Sequence, residues 1–274
     1  MKILFRALAQ MPLVVLHALG IAVGWCTFLL SSGYRQRFLG NARRAGYAFA
    51  SVRAAVAEGG KLAMETPRLW FGAPARAEWI GGELIAAARA SGRGILLLTP
   101  HLGCFEVIPQ AYARDFGRIT VLYRPARKRW LRDLVDHARE RENLAAAPTT
   151  LAGVKLLLKA LKSGETVGLL PDQVPPQGMG VWAPFFGEVA YTMTLPMRLA
   201  RQANAQVLLI RGERLGWGRG YRMHVRAWDG EFASEPEEAA AQVNRRMEAL
   251  IRECPTQYMW GYARYKQPRA ELAL

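Results

Sequence analysis

Residues 99–110, TPHLGCFEVIPQ, place an imidazole and a carboxylate five residues apart, His101 and Glu106, with the thiol of Cys104 between them. A carboxylate bonded to one imidazole nitrogen fixes the tautomer and stabilises imidazolium. The other nitrogen is then free to take a proton from a hydroxyl and make it a nucleophile. Five residues of helix subtend about 500°, so the two side chains would diverge by roughly 140° on one continuous helix. The spacing fits a turn better: His101 leaves a strand, Glu106 lies one turn into the next helix, and Pro100 and Gly103 break the backbone between them. The imidazole can then bend back to the carboxylate. On spacing alone two readings stand, a catalytic His–Glu dyad and a structural contact or unrelated pair. Cys104 has two readings as well. A nearby imidazole can stabilise a thiolate, yet free cysteine commonly behaves as a small buried apolar residue, and here it reads as a spacer.

The elements around this segment must position it. SGRG at 91–94 leads into ILLLT at 95–99, a short aliphatic run between breakers that reads as a buried strand, and a helix is expected to begin near Gly103. Helix is expected from Tyr34 through about Trp70. Downstream, strands are expected at 119–123, 166–170, 206–210 and 221–226, and helices at 128–144, 151–164, 195–202 and 235–252. Strands alternating with helices predict an α/β fold with a mixed central sheet flanked by helices. Ligands in such folds bind beyond the carboxyl ends of the strands, where the His101 turn lies and where helix-start amides could stabilise an oxyanion.

Residues 12–30, PLVVLHALGIAVGWCTFLL, contain no formally charged side chain. At ~1.5 Å per residue this helix nearly matches a ~30 Å hydrocarbon core. A signal peptide would have a shorter apolar core and a small-residue cleavage site, whereas SSGYRQRFLGNARR follows directly. Residues 1–33 therefore read as a membrane-anchoring helix, spanning or lying in the interface, ahead of a folded domain at 34–274; a buried helix is the alternative, because His17, Pro12 and several glycines weaken a span. Arg35, Arg37, Arg43 and Arg44 after the helix outweigh Lys2 and Arg6 before it, a bias that puts the domain in the cytoplasm.

Hydrophobic residues make up 51% of the chain, which excludes a disordered protein, and 37 Lys and Arg against 22 Asp and Glu give a net charge of +15. That charge predicts an anionic partner: phospholipid, phosphorylated substrate, nucleic acid or an acidic carrier protein. No nucleic-acid-binding motif accompanies it. Cys26, Cys104 and Cys254, and His17, His101, His137 and His224, show neither disulfide nor metal-ligand spacing, so a reducing compartment and no metal are expected.

In content and order these segments resemble the bacterial lipid A biosynthesis late acyltransferases, the lauroyl/myristoyl acyltransferases of the lysophospholipid-acyltransferase-like type. The resemblance covers nearly the whole chain: the hydrophobic N-terminus, HLGCFE as an HxxxxE motif, VLYRP at 121–125, LLPDQ at 169–173, APFFGEVAYTMT at 183–194 and QYMWGYARYK at 257–266. It implies an acyltransferase domain at 34–274, with His101 as general base and Glu106 as its catalytic partner. It also implies a fatty-acyl thioester of acyl carrier protein as donor, a hydroxyl on a phosphorylated glycolipid as acceptor and no cofactor. The location it implies is the bacterial inner membrane, with the domain on the cytoplasmic side. Glycerol-phosphate acyltransferases, with HxxxxD and an FPEGT-type segment, match less well because LLPDQ stands at the place of that segment. ARKR follows YRP where the family pattern has an Asn–Pro pair nearby, a departure that bears on the acceptor more than on the reaction.

Other residues fit this chemistry on their own terms. Arg124, Arg127 and Lys128 in YRPARKRWLR could dock a phosphate or the acidic carrier, with Arg124 the foremost candidate; a solvated basic face is the alternative. Asp172 and Gln173 could line the site and touch the acceptor, or Asp172 could simply cap a loop. Phe185 and Phe186 could wall an acyl channel, or pack as ordinary core. Lys155, Lys159 and Lys162 form a helical basic stripe suited to membrane-surface seating or to plain amphipathic packing. Two other functions stand beside acyl transfer: the same chemistry on a different lipid acceptor or on water, and a non-enzymatic basic protein that binds membrane or nucleic acid.

Overall fold

The computed structural model describes residues 2–123 and 142–270. Helices open the chain: α1 Lys2–Gln10, α2 Leu13–Leu30, α3 Ser32–Arg44, α4 Phe49–Val52 and α5 Ala54–Phe71. An α/β body follows, with β1 Ala77–Ile80, α6 Gly82–Ala90, β2 Ile95–Leu98, a 3-10 turn Phe105–Val107, α7 Ile108–Asp115, β3 Ile119–Tyr123 and β4 Leu144–Pro148. It continues through α8 Leu151–Lys162, β5 Thr166–Leu169, β6 Gly180–Phe185, β7 Glu188–Met193, α9 Leu195–Ala203, β8 Gln206–Arg214, β9 Tyr221–Ala227 and α10 Pro236–Glu253.

Among the described residues, seven strands form one sheet in the order β1–β9–β8–β2–β5–β3–β4, and β6 and β7 make a separate hairpin. All pairs within the large sheet are parallel except β8 with β9, so the sheet is mixed as expected. ILLL of β2 and TVGL of β5 are buried at every position, as runs covered on both faces must be. Alternate side chains of β2 serve two cores. Leu96 and Leu98 pack with Leu157 and Leu161 of α8 and with Met247 and Leu250 of α10, while Ile95 and Leu97 face Ile85 of α6 and Tyr112 of α7.

Local signals place most ends. The Thr150 hydroxyl caps α8 by accepting from the Gly153 N–H, and Asn204 stops α9 in the left-handed region at φ 47°. The expected helix at 128–144 lies outside the described residues apart from its last three positions, and Leu144 already belongs to a strand. LAAAP of β4 carries no β-branched residue; it is a strand because β3 pairs with it from Ile119↔Leu144 to Tyr123↔Pro148. β1 and the β6–β7 hairpin likewise stand where no strand was predicted.

Helix α2 packs antiparallel on α5 with backbones in contact. A Cβ added to Gly60 would stand 2.0 Å from the Gly20 carbonyl oxygen. His17, on this same face, bonds Glu65 of α5 through Nε2 at 2.8 Å, and both side chains are buried.

Candidate active site

β2 and β5 lie side by side in parallel register with Leu98 opposite Leu169. Each chain then runs three residues beyond its pair, through Pro100 to His101 and through Pro171 to Asp172. Equal offsets from one register bring the two residues together at the carboxyl edge of the sheet. His101 Nδ1 donates to Asp172 Oδ1 at 2.6 Å, and the His101 backbone N–H donates to Oδ2 at 2.9 Å. The Tyr258 hydroxyl also donates to Oδ2, at 3.3 Å.

Asp172 is 1% exposed. Burial alone would push its carboxyl up, but the imidazole, the two bonds from His101 and the Arg264 guanidinium outweigh it and hold the carboxyl below its ordinary range. Burial and then the Asp172 charge push the Tyr258 phenol well up, so it stays a hydroxyl donor. A carboxylate at Nδ1 keeps a proton there, so the neutral form of the ring carries its lone pair on Nε2. The His101 ring rests edge-on against Phe105 at 4.7 Å.

Glu106 lies in a 3-10 turn just ahead of α7 rather than one turn into the helix, and its carboxylate turns away from His101. Oε2 accepts from Trp70 Nε1 of α5 at 3.1 Å, and among the described residues no hydrogen bond joins Glu106 to His101. The expected bend of the imidazole toward Glu106 is thus replaced by the bond to Asp172, because sheet register sets Asp172 directly beside the turn.

The turn is held from three sides. Gly103 N–H donates to Gln257 O at 3.0 Å, Cys104 N–H to Gly212 O at 2.8 Å, and Met259 N–H to His101 O at 3.2 Å. Gly103 has φ +61°, and a Cβ there would meet the Gly212 oxygen at 2.0 Å, so only glycine fits. The amides of Leu102, Gly103 and Cys104 all have protein acceptors, so these three are committed to holding the turn.

Beneath the turn lies a buried charged cluster. Arg214 of β8 donates through Nη2 to Gly103 O at 3.3 Å, grips the Glu65 carboxylate through Nε and Nη2, and reaches Glu58 through Nη1. Tyr221 donates to Glu65 at 2.9 Å. Burial pushes Glu65 up, yet Arg214 and hydrogen bonds from His17, Arg214 and Cys104 bring its carboxyl to about 2. Cys104 is fully buried, and burial together with Glu65 pushes its thiol well up. It remains a neutral thiol, which agrees with the spacer reading.

Gln173 is half-buried beside Asp172. Phe185 and Phe186 are buried with their rings 4.8 Å apart at the β6–β7 turn, where Phe186 takes φ 49°. Arg264 lies over Phe185 and Arg252 over Phe186. The space they share with Tyr258 and Trp260 measures ≈ 10 Å³, about one water's room, and both rings belong to the buried core. An open groove of ≈ 400 Å³ runs between Leu39, Arg43, Tyr47 and Phe49 and includes none of the expected site residues. Arg124, Arg127 and Lys128 lie outside the described residues; β3, the strand before them, ends at the same sheet edge as β2 and β5. Lys155, Lys159 and Lys162 are exposed along α8 beside exposed Leu151 and Leu156. Among the described residues no three His, Cys, Asp or Glu side chains gather as metal ligands.

Sequence reasoning placed Asp172 near the site without its bond to His101, and missed Tyr258, Trp70 and the Glu65–Arg214 pair. The repeated Pro100-His101 and Pro171-Asp172 endings were the available signal for the first.

The family model for bacterial lipid A biosynthesis acyltransferases matches residues 1–267. A lipid A biosynthesis lauroyltransferase of Escherichia coli (strain K12) is 32% identical over 209 residues, covering 74% of this chain and 67% of the relative. A lipid A biosynthesis palmitoleoyltransferase of the same strain is 28% identical over 229 residues, covering 78% and 71%. A lipid A biosynthesis acyltransferase of Haemophilus influenzae (strain ATCC 51907 / DSM 11121 / KW20 / Rd) is 27% identical over 187 residues, covering 68% and 58%.

Proposed function

Because this chain belongs to the bacterial lipid A biosynthesis acyltransferase family, and is an acyltransferase of that biosynthesis, we propose that His101 is its general base, held by Asp172. The donor is a fatty-acyl thioester of acyl carrier protein, and the acceptor is a hydroxyl of a phosphorylated lipid A precursor. His101 Nε2 removes the acceptor proton as the oxygen attacks the thioester carbonyl. The tetrahedral intermediate then collapses to the ester and expels the thiolate, which takes the proton back from the imidazolium. Asp172 fixes the tautomer and balances the imidazolium charge. Glu106, tethered by Trp70, supplies the site's second carboxylate and supports the imidazolium through its charge.

The observation that carries this reading is the 2.6 Å bond from His101 Nδ1 to Asp172. The net charge of +15 suits both the acidic carrier and the phosphorylated acceptor, and Arg124, Arg127 and Lys128 are the residues proposed to meet them. The exposed apolar surface of α2 supports work at a membrane, proposed to be the inner membrane with the catalytic body on its cytoplasmic side. The test is transfer from acyl-acyl carrier protein to a lipid A precursor, followed by mass spectrometry. His101→Ala is expected to abolish transfer in a folded protein, and Cys104→Ala to keep most of it. Full activity in the His101 variant refutes the assignment.

A further inference from the structure

The geometry of α2 points to a helix that lies in the plane of the membrane surface and sinks one face into a single leaflet without crossing the bilayer. This rests on the reading that the enzyme works at a lipid surface. The buried face of the helix, Leu16, His17, Gly20, Gly24 and Phe28, runs along its whole length. Gly20 sits against Lys61 and Gly60, Gly24 against Val56 and Ala57, and His17 against Glu65, in antiparallel order. A Cβ on Gly20 would stand 2.5 Å from Lys61 Cα, and one on Gly24 2.3 Å from the Val56 oxygen. No lipid tail fits between such backbones.

A crossing α2 would therefore take α5 across with it. That helix carries Glu58, Lys61, Glu65 and Arg68, and through Glu65 and Arg214 it is joined to the turn that holds His101. Charged side chains at hydrocarbon depth are costly, and α5 also buries Ala55 and Leu69 in the protein body. Both ends of α2 are fastened to that body. Arg35 of α3 donates to Phe28 O at 3.1 Å and Leu29 O at 2.8 Å, and the turn Gly216–Gly218 between β8 and β9 touches Leu13 and Val14.

The opposite face is apolar and open. Val14, Leu19, Ile21, Val23, Leu29 and Leu30 are 40% to 86% exposed, and no charge interrupts them. Trp217, 85% exposed at φ 58°, stands in the turn at the start of this strip. An indole at such an edge suits the headgroup level, and the exposed Arg43 and Arg44 of α3 suit anionic headgroups. One face on protein and one continuous apolar face outward is the arrangement of an interfacial helix, and lipid is the occupant it fits.

Gln10 and Gln36 are exposed on either side of α2 in the sequence. Gln10→Cys and Gln36→Cys, each made in full-length protein carrying Cys26→Ala, can be treated with a membrane-impermeant maleimide in spheroplasts and in inverted membrane vesicles. The in-plane helix predicts labelling of both cysteines in the same preparation. Labelling in opposite preparations overturns it and leaves the membrane reading standing. Protein recovered free of the membrane fraction removes the membrane reading itself. Trp217→Ser is expected to weaken binding to phosphatidylcholine–phosphatidylglycerol vesicles several-fold, and unchanged binding overturns the placement of that edge at the surface.

Discussion

Asp172→Asn separates the roles of the two carboxylates. The Tyr258 hydroxyl and the His101 backbone N–H both address Oδ2, whereas Nδ1 of the ring addresses Oδ1. An amide has one acceptor oxygen. Placed at the Oδ2 position it satisfies two donors, and the amide nitrogen must then occupy the Oδ1 position and present N–H to the ring. Nδ1 becomes the acceptor, the ring proton moves to Nε2, and the acceptor hydroxyl meets no base. Because Asp172 is only 1% exposed, no solvent restores the lost partner. The loss is that of a general base, about 10²–10⁴-fold in kcat or roughly 3–5 kcal/mol of transition-state stabilisation, with KM little changed. Glu106→Gln keeps an oxygen for the Trp70 bond and loses only charge, so its expected loss is smaller, on the order of tenfold. The assay is the initial rate of transfer from radiolabelled acyl-acyl carrier protein, with circular dichroism melts to confirm folding. An inactive Glu106→Gln beside an active Asp172→Asn would falsify the reasoning: it would mean that His101 pairs with Glu106 when substrate is bound.

Gly103→Ala should lower the melting temperature and kcat together. A left-handed non-glycine residue costs about 1–3 kcal/mol, and its Cβ would also strike the Gly212 oxygen; an unshifted melt refutes the close approach. Glu65 makes the fold acid-sensitive. Its folded carboxyl lies at about 2 against an ordinary 4.5, so the stabilisation is complete above 4.5 and is lost as pH falls through that window. The contribution is on the order of 3 kcal/mol, and denaturant titrations at stepped pH read it as a slope; Glu65→Gln should flatten that slope, and an unaltered one sinks the assignment.

The strands of the site were legible because ILLL is an unbroken aliphatic run and TVGL an uncharged one, each between Gly and Pro breakers, as central strands covered on both faces require. β4 was not, because LAAAP has no strand preference of its own and takes its conformation from pairing with β3. The apolar length of α2 was legible, but its inward face was not. Gly20 and Gly24 mark a close helix contact, yet the partner, Gly60, lies some forty residues away and nothing local names it.

The His101 partner shows the same limit most sharply. Glu106 is the nearest carboxylate in sequence, and reasoning along the chain selects it. The sheet selects by register instead, and β2 and β5 are neighbours although β3 and β4 intervene in the sequence. ILLLTPH and TVGLLPD carry the matching ending, four strand residues, one linker, a proline and then the functional group. That coincidence becomes informative only once the two strands are known to be adjacent and parallel. The five-residue spacing of His101 and Glu106 spans the turn, and the offset of three residues from Leu98 and from Leu169 sets the His101–Asp172 contact. One residue inserted between Leu169 and Asp172 would leave the HxxxxE motif intact and still separate His101 from its carboxylate partner.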